Sequence, residues 1–287
     1  MDKNSGNNIV ADKALFIPAK IGVIGHGVVG QALTYGFSYT SKGRDQIMFY
    51  DKFKPGGWPL KEVVSKSDFI FICLPTPMKD DESGIDLSII EESIDKISKY
   101  TDHTDKVIVI KSTVVPGTTR SLIRKYPHSQ FCFNPEFLTE ANSVNDFLNT
   151  KMIIIGAEND KISRKVGNLY SLHFPNSQIE FTDSITAEMV KYFRNSFLAM
   201  KVIFANTWYD FCLAHGVNYK EVKRLGAADP RIVDAHLNVT NERGFGKKCL
   251  PKDLVALIGE FRNKGVDASL FEKIWEINKH IRKIRDW

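Results

Sequence analysis

From Lys20 onward, short apolar runs alternate with stretches in which apolar positions recur every three or four residues. That rhythm predicts strands separated by amphipathic helices. Strands are expected at 21–24, 46–50, 68–74, 107–111, 131–133 and 152–155, with a weaker one at 178–181, and helices at 31–37, 87–99 and 118–125. The runs beginning at Asp68 and Val107 are almost continuously apolar, as strands covered on both faces must be. Strand and helix in alternation imply an α/β fold built on a doubly wound parallel sheet.

After Thr182 the texture changes. Residues 184–215 read as one long helix with apolar positions at Met189, Val190, Phe193, Phe197 and Met200, a stripe expected to be core or dimer interface. Helices are also expected at 219–225, 254–264 and 269–285, with an irregular loop over 227–248 of a length that usually marks a binding loop. The expected organisation is a flexible tail at 1–19, a sheet domain at 20–182 and an all-helical central domain at 183–287. Neither a repeat nor a low-complexity linker divides the chain.

Composition narrows the class. The 287 residues, 43% hydrophobic and 25% charged, suffice for two cores. A formal charge of +5, scattered along the chain, can attract an anionic metabolite but forms no basic stripe, so nucleic acid is not an expected partner. Four cysteines without a Cys-x-x-Cys pair argue against disulfides and a structural metal and for a reducing compartment. No apolar run is long enough to span a membrane and the first residues are not signal-like, so a cytoplasmic protein is expected.

Two segments carry chemistry. Gly25-His26-Gly27-Val28-Val29-Gly30 follows a predicted strand and opens a predicted helix, and Asp51 closes the next strand. In a dinucleotide fingerprint the glycines permit the tight turn, the approach of a pyrophosphate and close helix packing, while free N–H groups at the helix start face the phosphates. Asp51 suits the adenosine ribose hydroxyls and repels a 2'-phosphate, favouring NAD, although Lys52 and Lys54 blur that preference. His26 is expected to face solvent. The second segment, Gly244-Phe245-Gly246-Lys247-Lys248-Cys249-Leu250-Pro251-Lys252-Asp253, sets a cysteine among lysines and an aspartate, a field that favours a nucleophilic thiolate. Cys73, Cys132 and Cys212 lie in apolar stretches and are expected in the core.

Further motifs sit at the ends of predicted strands: Pro75-Thr76-Pro77, then Lys111 through Thr119, then Asn134-Pro135-Glu136-Phe137-Leu138-Thr139-Glu140; Ala187 through Asn195 comes next on the long helix. Together with the two segments above, this ordered set resembles the UDP-glucose/GDP-mannose dehydrogenase family from about Lys20 to Arg285. The resemblance implies a Rossmann-type NAD-binding domain followed by a helical dimerisation domain. It implies oxidation of a nucleotide sugar, UDP-glucose to UDP-glucuronate, in two hydride transfers through a Cys249 thiohemiacetal and thioester.

The same resemblance assigns roles. Cys249 is the nucleophile and Asp253 its acidic partner; Lys191 and Asn195, at i and i+4 of one helix, would stabilise the oxyanion; Thr113 and Glu140 would hold the water for proton transfer and hydrolysis. Gly25, Gly27, Val28, Val29, Gly30, Asp51, Lys54, Thr76, Thr113, Glu140 and Lys252 would line the cofactor. Glu136, Phe137, Leu138, Glu140, Lys191, Asn195 and Gly246 would line the sugar, and Arg231 would reach the sugar site of a neighbouring subunit, which implies a homodimer.

Two features depart from the family pattern. Lys247 stands where the family usually has glycine and could contact a phosphate, and the chain as given ends after the central helices, without the family's third, nucleotide-covering domain. Two alternatives therefore stay open: a two-electron dehydrogenase of the beta-hydroxyacid type, and a non-catalytic NAD-binding partner subunit.

Overall fold

The computed structural model of this chain describes residues 18–287, so the tail expected at 1–19 lies, apart from Pro18 and Ala19, outside the described residues. In chain order the elements are β1 (Lys20–Ile24), α1 (Val28–Thr40), β2 (Gln46–Tyr50), α2 (Leu60–Lys66), β3 (Phe69–Ile72), α3 (Ser88–Thr101), β4 (Val107–Ile110), α4 (Thr118–Lys125) and β5 (Gln130–Phe133). A 3-10 turn (Glu140–Asn142) leads into α5 (Ser143–Leu148), β6 (Met152–Gly156), α6 (Asp160–His173), β7 (Gln178–Thr182), α7 (Ser184–Ala214), α8 (Tyr219–Gly226), α9 (Cys249–Asn263) and α10 (Ser269–Ile281). Cα proximity divides them into two compact units. The first holds residues 18–75, 90–112 and 117–187, and the second holds 76–89, 113–116 and 188–287.

The first unit is a seven-stranded sheet in the order β2-β1-β3-β4-β5-β6-β7. Strand side chains alternate between faces. Ile21, Val23, Phe69, Phe71, Val107, Val109 and Cys132 point to one face, where Phe37 of α1, Phe147 of α5 and Val166, Leu169, Tyr170 and Phe174 at α6 bury them. On the other face α2 packs on β1 and β2, and α4 on β5, while α3 buries Ile90, Ile94 and Ile97. The chain runs from β1 to β2 on one side and returns to β3 on the other, so the order reverses between β1 and β3. Doubly wound sheets take ligands beyond the strand ends at such a reversal.

The expected sheet is parallel throughout; the observed one is parallel except for one join. β5 and β6 meet in a single antiparallel pairing, Phe133 with Gly156, and β6 and β7 run parallel to each other. Parallel neighbours need a crossover that carries the chain back to its starting edge. Between β5 and β6 the one α-helix is α5, six residues or about 9 Å long, and it packs on α1. Three helices, α2, α5 and α6, escape the sequence pattern; for α6 the Asn159 side-chain carbonyl accepts from the Lys161 amide, a cap signal visible in Asn159-Asp160.

The second unit is helical. Ala199, Val202 and Ile203 of α7, Leu254, Val255 and Ile258 of α9, and Ile274 and Trp275 of α10 form its core together with Phe245. Residues 76–89 belong to it: Glu82 accepts from Trp275 Nε1 and Lys279 Nζ, each at 2.8 Å. α9 begins at Cys249 rather than at Leu254, since Pro251 in the first turn of a helix forfeits no hydrogen bond. Of the stripe expected on α7, Met200 packs on this core and Val190 is half-buried, whereas Met189, Phe193 and Phe197 are exposed, Phe193 at 74%, as are Phe204, Trp208 and Phe211 further along the helix.

Candidate active site

In the first unit the glycine loop leaves β1 at the reversal point. Gly25 has φ +92, and a Cβ there would lie 2.5 Å from the Cys73 carbonyl oxygen at the end of β3, so the turn accepts glycine alone. Gly27 is different: a Cβ would meet no protein atom within 4 Å. Nothing in the protein's own packing demands glycine there, and the bare backbone at the start of α1 is open to a close-approaching pyrophosphate. Gly27, Val28, Val29 and Gly30 lead straight into α1, with Gly30 buried.

Asp51 closes this loop from below. Its Oδ2 accepts the His26 amide at 2.7 Å and its Oδ1 accepts the amides of Phe53 and Lys54 at 2.9 and 3.2 Å. Burial works to raise its pKa, but these backbone donors and the Lys54 charge outweigh it and hold the carboxyl below its ordinary range. Lys54 Nζ donates to the His26 carbonyl at 2.6 Å. His26 itself stacks on Phe49, ring centroids 3.8 Å apart, so it is a packing residue of the loop instead of the solvent-facing side chain expected.

Beyond β4 and β5 the strand-end motifs supply a polar group, Lys111 and Asn134, whose third member, Tyr170, nothing in the sequence pointed to. Asn134 Oδ1 accepts from Lys111 Nζ at 2.8 Å and from the Tyr170 hydroxyl at 2.6 Å, and Asn134 Nδ2 donates to the Ile154 carbonyl at 2.7 Å. All three side chains are buried. They tie the ends of β4 and β5 to the middle of β6 and to α6, next to the loop that carries Glu136, Phe137, Leu138 and Glu140. Within it Glu136 accepts from the Leu138 amide, Leu138 packs on the core, and Glu140 is exposed at the first position of the 3-10 turn. A polar residue ending a buried strand was the signal available in the sequence.

The second unit brings four of the expected site residues into one hydrogen-bonded chain. Asn195 Nδ2 donates to Asp253 Oδ2 at 2.5 Å, Lys252 Nζ donates to Asp253 Oδ1 at 2.7 Å, and Lys252 Nζ also lies 3.5 Å from Thr76 Oγ1. Asp253 is 2% exposed. Lys191, one turn before Asn195, is buried too, as is Thr113. Cys249 lies one turn before Asp253, in the first turn of α9, and is the exposed member of the four thiols. A helix N-terminus favours a thiolate. Burial pushes the Cys73 and Cys132 thiols up, each to about 12; Cys132 and Cys212 are buried, and Cys73 is partly buried against the sheet core.

Two expected substrate residues have other partners. Arg231 is exposed and closes on Asp229. A Cβ on Gly246 would overlap the Asp286 carboxylate and the Arg282 guanidinium, so the protein's own packing requires this glycine. Lys247 is exposed and left-handed, with φ 62. Among the described residues no group of three or more His, Cys, Asp or Glu could hold a metal ion, and no helix is long and apolar enough to cross a membrane.

So built, the first unit is a Rossmann-type dinucleotide-binding domain, and the second is the helical half of a dehydrogenase fold. The chain belongs to the UDP-glucose/GDP-mannose dehydrogenase family: the family's NAD binding domain matches residues 59–173 and its central domain matches 185–280. NAD is the cofactor of this domain. The UDP-glucose 6-dehydrogenase of Rickettsia bellii is 38% identical over 224 residues, which are 76% of this chain and 50% of that protein. The chain thus spans about half the length of the curated relatives it matches. A UDP-glucose dehydrogenase structure from Pyrobaculum islandicum superposes with a TM-score of 0.82 at 25% identity, covering 92% of this chain and 68% of that one. The 3-hydroxyisobutyrate dehydrogenase of Mycobacterium tuberculosis shares the fold, with a TM-score of 0.73 at 12% identity over 92% of this chain and 94% of that one.

Iodoacetamide near neutral pH is expected to label Cys249 first, with peptides carrying Cys73 and Cys132 unlabelled until the chain unfolds. Peptide mapping that finds Cys73 or Cys132 labelled as fast as Cys249 would contradict the placement of these thiols.

Proposed function

We propose that the chain oxidises the primary alcohol of a nucleotide sugar, UDP-glucose first among candidates, to the carboxylate, with Cys249 as the covalent nucleophile. The observation that carries this reading is the exposed Cys249 in the first turn of α9, one turn from a buried Asp253 whose oxygens are taken by Asn195 and Lys252. Names of relatives support the substrate class.

Bound NAD supplies the hydride acceptor, one molecule for each oxidation. The protein's part begins with a proton: the sugar hydroxyl gives it to a water for which Thr113 and Glu140 are the assigned partners. Once the alcohol carbon is an aldehyde, the Cys249 thiolate adds to it and the carbonyl oxygen becomes an alkoxide. Lys191 and Asn195 donate to that oxygen, an effect typically worth about 3–4 kcal/mol per donor. Loss of the second hydride restores the carbonyl as a thioester. Water, deprotonated with the help of Glu140, then attacks it; the carboxylate forms and the thiolate leaves unchanged. Asp253 orients Asn195 and Lys252 throughout. In the same reading Glu136, Phe137, Leu138 and Gly246 border the sugar, and Arg231 reaches a neighbouring subunit's sugar.

The similarity in size and fold to a 3-hydroxyacid dehydrogenase favours one alternative, a single two-electron oxidation. NADH counted per sugar consumed separates them: two under the present reading, one for the alternative, none for a non-catalytic subunit. Cys249→Ser should retain the first oxidation and lose the second by at least about a hundredfold; a variant that still yields two NADH per sugar at the native rate would remove Cys249 from the mechanism.

The exposed stripe on α7 is proposed to pair with a second copy of the chain, since contiguous aromatic surface of this kind marks an interface. Sedimentation of Phe193→Glu should give a monomer where the native chain gives a dimer. A native chain that sediments as a monomer throughout the micromolar range would refute the pairing.

A further inference from the structure

The turn ahead of α9 is strapped to two helices by buried amide side chains. On α7, Asn206 is 1% exposed, and its Oδ1 accepts Arg243 Nε at 2.7 Å and the Gly244 amide at 3.2 Å. On α10, Asn278 is fully buried and pairs with both backbone groups of Phe245: Oδ1 accepts the amide at 2.7 Å and Nδ2 donates to the carbonyl at 2.9 Å. The amide needs an acceptor and the carbonyl a donor, so one orientation of the Asn278 side chain serves both. One turn on, Arg282 Nη1 donates to the Arg243 carbonyl at 2.8 Å.

Gly244 makes room for this contact. Its φ is +50, and a Cβ there would lie 2.4 Å from Asn278 Oδ1. The Phe245 ring is held as well: it lies in the core with Leu254 and Val255 of α9 and stacks on Trp275, ring centroids 6.2 Å apart. Phe245 is therefore fixed through its backbone and its side chain together.

The consequence falls on the next residue. The Phe245–Gly246 peptide is trans, and in a planar trans peptide the N–H points opposite to the C=O. Asn278 holds that C=O toward α10, so the Gly246 N–H is turned to the other side. Gly246 is partly exposed, and its amide donates to no group among the described residues. Next to a residue whose two backbone groups are both paired, it stands as an available donor.

We propose that Asn278 is a positioning residue for the substrate: by fixing the Phe245 carbonyl it aims the Gly246 N–H at an oxygen of the bound nucleotide sugar. This rests on the reading in which Gly246 borders the sugar, and adds the side chain that sets the direction of its amide. Asn278 itself, being buried, touches neither sugar nor cofactor.

The test uses the full chain with NAD present and UDP-glucose as the probe. Amide exchange followed by NMR on the native chain should find the Phe245 amide protected throughout. The Gly246 amide should exchange readily until UDP-glucose is added and then slow about tenfold or more. A Gly246 amide whose exchange UDP-glucose leaves unchanged would overturn the proposal, whether or not any variant folds. In calorimetry, Asn278→Ala should weaken UDP-glucose binding about three- to tenfold, the range for one lost hydrogen bond, while NAD affinity stays within about twofold of native. Asn278→Asp keeps an acceptor for the Phe245 amide but loses the donor to its carbonyl, and should weaken UDP-glucose as much as alanine does. Native affinity for UDP-glucose in either variant, even with a lowered Tm, would assign Asn278 to stability alone and overturn the proposal. A native chain that binds no UDP-glucose would refute the substrate reading and this inference with it, whereas native binding with unaltered variants refutes the inference alone.

Discussion

A buried carboxylate is tolerated only where donors satisfy it, and in the second unit that requirement falls on Asp253. Its two oxygens take one donor each, Asn195 from α7 and Lys252 from α9. Removing one partner from a buried pair of this kind typically costs about 3–5 kcal/mol, which is a large part of a domain's net stability. The contact therefore fixes the two helices against each other at this point. Lys191 lies one turn from Asn195, and Cys249 one turn from Asp253, so one interaction brings a buried ammonium, an amide and a thiol within a helical turn of a common point.

The first unit solves a different problem by similar means. Its glycine loop must leave β1 where β3 crowds it, which the positive φ of Gly25 allows, and it must stay open where a cofactor approaches, which Gly27 allows. Asp51 draws in three backbone amides and keeps that loop in shape. Lys111, Asn134 and Tyr170 do the same below the neighbouring loop, where an unpaired lysine or amide would carry a full desolvation penalty.

What the residues announced and what they hid divide along physical lines. Sheet strands were legible because burial on both faces leaves an apolar run, as in Phe69–Ile72 and Val107–Ile110. The glycine loop between β1 and α1, and the shared helical face of Lys191 and Asn195, were legible because spacing alone fixes both, whereas the helical start at Cys249 was hidden by Pro251. The reversal of β6 was not, because strand direction depends on how far the intervening chain travels, and a short helix such as α5 reads much like a loop. His26 was misjudged for lack of any local sign that Phe49 would meet it.

A crystal structure of the chain with NAD and UDP-glucose bound tests the role of Cys249 most directly. The expected result is Sγ of Cys249 about 3–3.5 Å from the C6 carbon of the sugar, with Lys191 and Asn195 donating to the oxygen on that carbon. A sugar bound with C6 turned away from the thiol, or with that oxygen bonded to neither residue, would contradict it.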